Sequence, residues 1–161
     1  MNCENCGGLT APDATGLVLR CRFCESIRFV GDGDGPDGLV LTGPDSEIGC
    51  PVGCGVLSGG NLDGRPVAGC PDCRGVLIRG DEFGPLVAER RRRWSGPDAR
   101  PRPVDPASLH RAADCPGCGY RMDTHPYYGP GNAVVDSCGR CEIVWLDAGE
   151  VAAIERSPGR R

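Results

Sequence analysis

Apolar residues fall along this chain in short runs fenced by glycine, proline and charged residues. Leu17-Val18-Leu19, the alternating Ile27, Phe29 and Val30, then Val76-Leu77-Ile78 and Ile143-Val144-Trp145-Leu146 each predict a short strand. Helical signals are fewer. Asp81-Glu82 reads as a helix start, and Pro85-Leu-Val-Ala-Glu-Arg-Arg-Arg-Arg-Trp94 reads as a short helix stopped by Ser95-Gly96-Pro97. Leu86, Val87 and Trp94 are its candidates for packing. Asp105-Pro106 offers a cap and a first-turn proline for a brief helix through Leu109 and Ala113. Asp147-Ala-Gly-Glu150 has the form of a capping box that opens a last helix at Val151. Residues 31 to 38, Gly-Asp-Gly-Asp-Gly-Pro-Asp-Gly, read as a solvated loop with nothing to bury. A calcium loop starting at Asp32 would meet Pro36 and Gly43 where oxygen ligands are needed, which argues against that use.

Such strands need something besides a core to hold them. Aromatic residues make up only 5% of the 161, while Gly 26 and Pro 15 together make up about a quarter of the chain. A chain with so little to bury commonly leans on metals or disulfides. Twelve cysteines supply the means, as six close pairs: Cys3/Cys6, Cys21/Cys24, Cys50/Cys54, Cys70/Cys73, Cys115/Cys118 and Cys138/Cys141. Two pairs brought together on tight turns present four sulfurs to one point, the tetrahedral arrangement of a structural zinc site. Three sets of four therefore predict three Zn2+ ions, with iron left open because it accepts the same geometry. The start Met-Asn-Cys-Glu-Asn-Cys shows no signal peptide and no apolar run suggests a membrane span, so the reading is a reduced, cytoplasmic protein rather than a disulfide-stapled one.

Placing Cys73 on Cys141 aligns Val76 with Val144, Leu77 with Trp145 and Glu82 with Glu150 without a gap, so residues 50–83 and 115–151 read as divergent copies of one unit. In the second copy Cys115-Pro-Gly-Cys118, the Asp136 two residues before Cys138, and Trp145-Leu-Asp-Ala-Gly-Glu150 form a recognisable set. These residues resemble the transcription factor IIB-type zinc-ribbon family of small bacterial proteins. The resemblance is clearest for 115–151 and weaker for 50–83, where Leu77 and Arg79 replace the tryptophan and aspartate. It implies a metal-stabilised zinc finger module, associated with nucleic acid or transcription, with no reaction of its own.

The expected architecture is thus a small, mostly β, metal-stabilised chain with three zinc ribbons in tandem and short helices. The expected parts are a ribbon at 1–30, an acidic linker at 31–49, a second ribbon at 50–83, an Arg/Pro-rich helical connector at 84–114 and a third ribbon with a helical tail at 115–161. The formal charge is −4, and thiolate ligands bring it to about −10 with three zinc ions bound, which opposes broad phosphate binding. The local exception runs through the connector, where Arg90, Arg91, Arg92, Arg93, Arg100 and Arg102 are the candidate partner- or nucleic-acid-binding residues. Closed four-sulfur sites leave no position for water or substrate, and no nucleophile with a base stands out, so no enzymatic activity and no small-molecule substrate are expected. His110 and His125 read as ordinary polar residues, Trp145 as core, and Tyr127 and Tyr128 as either packing or base-stacking residues. The functional expectation is an adaptor whose ribbons mediate protein-protein interaction. The alternative is a nucleic-acid-binding finger acting through Arg90 to Arg102.

Overall fold

The computed structural model describes residues 3, 5–12, 18–29, 37–100, 102–127, 129 and 131–159. The expected strand residues Leu17 and Val30 and the candidate stacking residue Tyr128 lie outside this set, as do residues 31–36 of the acidic stretch. Among the described residues the chain is mostly β. A small antiparallel sheet holds β1 (Thr10–Pro12), β2 (Val18–Cys21) and β3 (Ile27–Phe29) in that order. A second sheet holds β4 (Val40–Gly49), β5 (Val56–Leu62), β6 (Arg65–Gly69), β7 (Val76–Arg79), β8 (Asp123–Pro126), β9 (Val134–Cys138) and β10 (Ile143–Leu146), ordered β4-β5-β6-β7-β10-β9-β8. The two copied units therefore share one sheet, joined where β7 meets β10.

That joint is antiparallel with Val76 facing Leu146, Leu77 facing Trp145 and Ile78 facing Val144. Leu77 and Trp145 occupy the same position in the sequence copies, so the two halves are related by a local two-fold axis running between them. Alternation along the strands then builds two cores. On one face Val76, Ile78 and Leu146 join Leu62, Val67 and Val135 beneath α1 (Gly80–Arg93) and α2 (Glu150–Arg156). On the other, Trp145 is fully buried among Leu57, Ala113, Met122 and the cysteines. The halves are not equivalent there. A Cβ on Gly75 would stand 2.2 Å from Cζ2 of Trp145, so one copy gives up a side chain to seat the other's tryptophan.

Residues 40–49, expected as linker, form strand β4 instead. Leu39 explains the difference, since it is only 1% exposed and Leu41 packs beside it, so the segment has apolar surface to bury after all. Register shifts after Leu41 and after Asp45 let the polar remainder bulge along the edge. Asp37, in the same expected linker, is buried and accepts hydrogen bonds from Gly149 N at 2.6 Å and Ala152 N at 2.8 Å, closing the N-terminus of α2 from a distant part of the chain.

Helix α1 begins at Gly80 rather than at Pro85, with Asp81 and Glu82 in its first turn as the acidic start predicts. Pro85 lies one turn further in, where it forfeits a single backbone bond. The Asp105 side chain does accept from Ala107 N at 2.9 Å, but the expected helix is a 3-10 turn, Pro106–His110, that stops short of Ala113. The capping box at α2 is half formed. Glu150 Oε2 accepts from Asp147 N at 2.7 Å, while the Asp147 side chain turns to Trp145 Nε1 at 3.0 Å.

Candidate metal centres

Each two-residue cysteine pair is a turn whose shape the backbone fixes. The residue directly after the second cysteine is left-handed every time: Gly7 (φ 75), Glu25 (57), Arg74 (61), Gly119 (75) and Glu142 (53). Non-glycine residues rarely accept that conformation, so its recurrence at Glu25, Arg74 and Glu142 marks a turn the rest of the structure imposes. The pair with three intervening residues, Cys50 to Cys54, takes its left-handed residue inside the turn at Gly53 (φ 79). In these turns the first cysteine's N–H reaches past the second, from Cys3 to Gly8 O at 2.7 Å, Cys21 to Ser26 O at 2.8 Å and Cys70 to Gly75 O at 2.9 Å. Both sulfurs are thereby aimed to one side.

The turns converge as three tetrads, Cys3/Cys6/Cys21/Cys24, Cys50/Cys54/Cys70/Cys73 and Cys115/Cys118/Cys138/Cys141, with the four sulfurs of each within 4.8 Å of one another. Representative separations are 3.4 Å for Cys6 to Cys21, 3.3 Å for Cys54 to Cys70, 3.8 Å for Cys50 to Cys73 and 3.7 Å for Cys118 to Cys138. All twelve cysteines are free thiols, and these spacings exceed a disulfide bond of about 2.05 Å. A tetrahedron with metal–sulfur bonds of about 2.3 Å has edges of about 3.8 Å, so the donor set fits a four-coordinate, sulfur-preferring metal ion. In every pair the first cysteine is buried and the second lies nearer the surface, which leaves the ligands enclosed by protein on one side.

The thiols divide in their hold on protons. The Ser26 hydroxyl, 2.9 Å away, and then its backbone N–H lower Cys24 to about 6, and the backbone N–H of Cys141 leads the lowering of Cys138 to about 7. Burial, followed by the thiols of Cys50 and Cys70, holds Cys54 up at about 11, and hydrogen bonds with Cys115 and Cys118 hold Cys141 up at about 12. A metal-free tetrad thus keeps protons at neutral pH that a bound cation displaces, so metal uptake releases protons.

The second and third tetrads belong to one apolar cluster with Leu57, Met122 and Trp145, and Asp114 N donates to Pro51 O at 2.9 Å between their turns. The first tetrad lies on the separate small sheet, where Phe23 and Leu9 stand 77% and 61% exposed.

The arginines read as a binding run split in two. Arg90 is 8% exposed and binds Asp63 at 2.5 Å, Glu155 at 3.2 Å and the Asp37 carbonyl at 2.6 Å; Arg91 is 6% exposed and binds Ile154 O at 2.7 Å and Ser157 O at 3.0 Å. Arg90 ties α1 to α2 and to the loops at Asp37 and Asp63, and Arg91 ties α1 to the C-terminal end of α2, so neither is a surface ligand for a partner. Their burial follows from helical spacing, which turns Arg90 and Arg91 inward beside Leu86 and Val87. Arg92, Arg93, Arg100 and Arg102 remain exposed, with Arg93 held by Asp63 at 3.0 Å. Trp94 packs against the Arg156 guanidinium 5.2 Å from its ring centroid.

One organising residue escaped the sequence reading. Arg111, delivered by the 3-10 turn, ion-pairs with Asp136 at 2.7 Å, with Asp147, and with Glu150 at 3.7 Å, and donates to Val134 O at 3.0 Å. Asp136, Asp147 and Glu150 are the acidic residues of the motif noted above, so the motif's charges converge on a cation outside it. The signal available was the density of acids there, Asp136, Asp147 and Glu150 within fifteen residues against Arg140 as the one base among them. Burial raises Glu150 to about 8 against the opposing pull of Arg111, with Asp136 and Asp37 adding to the rise.

Among the described residues no helix is long and apolar enough to cross a membrane. No protein family, curated protein or solved structure matches this chain.

Proposed function

We propose that this chain is a non-catalytic, zinc-loaded adaptor of the reduced cytoplasm, built from three zinc ribbons, the third of the transcription factor IIB type, and that it binds another protein. The observation that carries the reading is the convergence of four cysteine sulfurs in each tetrad, which as thiolates would fill a bound ion's coordination sphere and leave no open position for Lewis-acid work. Zinc there stabilises the fold and stays out of the chemistry. The nucleic-acid alternative through Arg90 to Arg102 loses force because Arg90 and Arg91 are committed inside the molecule.

Native mass spectrometry with elemental analysis tests the metal half: three zinc ions per chain support the reading, and six disulfides without metal overturn it. Salt tests the partner half. Docking on apolar surface should persist between about 50 and 200 mM salt, whereas binding through several phosphate contacts falls by about a thousandfold or more over that range.

A further inference from the structure

The local two-fold axis makes each half a template for the other, and one feature has no counterpart. In the first half β4 pairs with β5, placing Leu41 opposite Gly60 and Val40 opposite Asn61. Leu39 and Leu41 lie over Gly60 and Gly69; a Cβ on Gly69 would stand 2.6 Å from Leu39 Cδ2 and 2.7 Å from Leu41 Cδ2. Strand register identifies the matching positions in the second half. Gly60 faces Val67 across β5 and β6 as His125 faces Val135 across β8 and β9, and Ser58 faces Gly69 as Asp123 faces Ser137. His125 and Ser137 therefore occupy the places of Gly60 and Gly69.

Over them, where the first half holds two leucines, the second half has an open cavity of about 420 Å³ lined by Phe83, His125, Tyr127, Val135, Ser137 and Val144. Its walls touch one another. Phe83 and Tyr127 meet edge to face at 5.3 Å, and His125 Nε2 lies 3.0 Å from Ser137 Oγ. Among the described residues strand β8 ends the sheet. The chain entering the third tetrad pairs with the residues just before β8, by the Asp114–Arg121 bridge, the counterpart of Gly49 facing Val56, and by Met122 N donating to Ala113 O. Upstream it curls into the 3-10 turn, which lies beside β8 but shares no backbone hydrogen bond with it among the described residues. Met122 donates outward and Tyr127 donates inward to Ala133, so by alternation Thr124 turns its N–H and C=O to the free edge.

We infer that β8 and the adjoining cavity receive an extended segment of a partner protein, which adds a strand at Thr124–Pro126 and buries a leucine-sized aliphatic side chain over Val135 and Val144, as β4 does with Leu39 and Leu41 in the first half. This names the docking surface for the adaptor reading and rests on it. Pro126 and the His125–Ser137 pair narrow the fit to one deep side chain instead of two. The partner needs no acid to match Asp37, because α1 carries Asp81 in its own first turn and Gly80 N is bonded to Glu142 O at 2.7 Å.

The probe is a capped synthetic peptide copying residues 37–43, Asp-Gly-Leu-Val-Leu-Thr-Gly, titrated into the metal-loaded full chain and followed by amide shifts. Saturable shifts at Thr124, Val135, Ser137 and Val144 are expected. They should weaken by about tenfold or more when both peptide leucines become serine, or when Ser137→Leu fills the cavity in a chain that still carries its full metal complement. Absence of shifts, shifts confined to Gly60 and Gly69, or equal binding by the Ser137→Leu chain would overturn the inference. A concentration-dependent dimer lost in Ser137→Leu would also overturn it, by giving the edge to a second copy. If the peptide fails but a purified partner still binds the Ser137→Leu chain at high salt, the site is wrong and the adaptor reading survives.

Discussion

The small N-terminal sheet and the seven-stranded sheet hold their metal-binding turns in the same backbone shape, yet among the described residues only the larger one carries apolar core clusters. Strands β1, β2 and β3 span three or four residues each and Phe23 beside the tetrad faces solvent, while the larger sheet buries Trp145, Leu146 and Ile154 completely. Each buried side chain of that size contributes about 1.5–3 kcal/mol, so the larger sheet has a second, apolar source of stability beside its metal sites. The metal should be the whole scaffold in one region and a fastening in the other.

Removing a ligand is the strongest way to break the comparison. Cys21→Ser should empty the first tetrad and unfold its sheet, because structural zinc carries about 10–16 kcal/mol of coupled folding free energy in small fingers. The seven-stranded sheet should keep its amide dispersion and its two metals, read by NMR and native mass spectrometry; collapse of both regions would show that they fold as one. Trp145→Ala should produce the converse, a loss of about 3–5 kcal/mol in denaturant unfolding of the large sheet with the first metal retained. A change under 1 kcal/mol would mean the metal, and not the apolar cluster, holds that sheet too.

Two smaller effects sharpen the account of the large sheet. Asp37→Ala removes the bonds to Gly149 and Ala152, and about 1–2 kcal/mol of stability should go with them, seen as faster amide exchange across α2. Glu150→Gln tests the pH response. Glu150 is raised to about 8 in the fold against about 4.5 when free, so its contribution is fully present below about 4.5 and is lost as pH rises through 8. The glutamine variant should therefore show a flatter stability profile between those limits, and an unchanged slope would place the titrating group elsewhere.

Sequence alone carried the cysteine pairing and the duplicated unit a long way, because cysteine spacing and the strand pattern around Val76 and Val144 are local signals. The shared sheet also agrees with that alignment, since copies that match at Leu77 and Trp145 can meet there on an axis. The failures around the sites were non-local. Asp37 sits in a stretch that looks like solvated linker, and its role depends on α2 lying beside it. Arg90 and Arg91 belong to a run that reads as a charged surface, and only the packing of α1 against α2 turns them inward. Arg111 is unremarkable until the 3-10 turn brings it to three carboxylates.

Strand β10 and helix α2 leave the ribosome after every other element of the seven-stranded sheet, and this order has a cost during synthesis. Asp37 waits for amides 112 and 115 positions further on, and β7 keeps a bare apolar edge until β10 arrives. A nascent chain that has already loaded its first two metals would still be an unfinished, sticky intermediate. Products truncated before Trp145 should accordingly be cleared by proteases or aggregate, however well their earlier cysteines are filled.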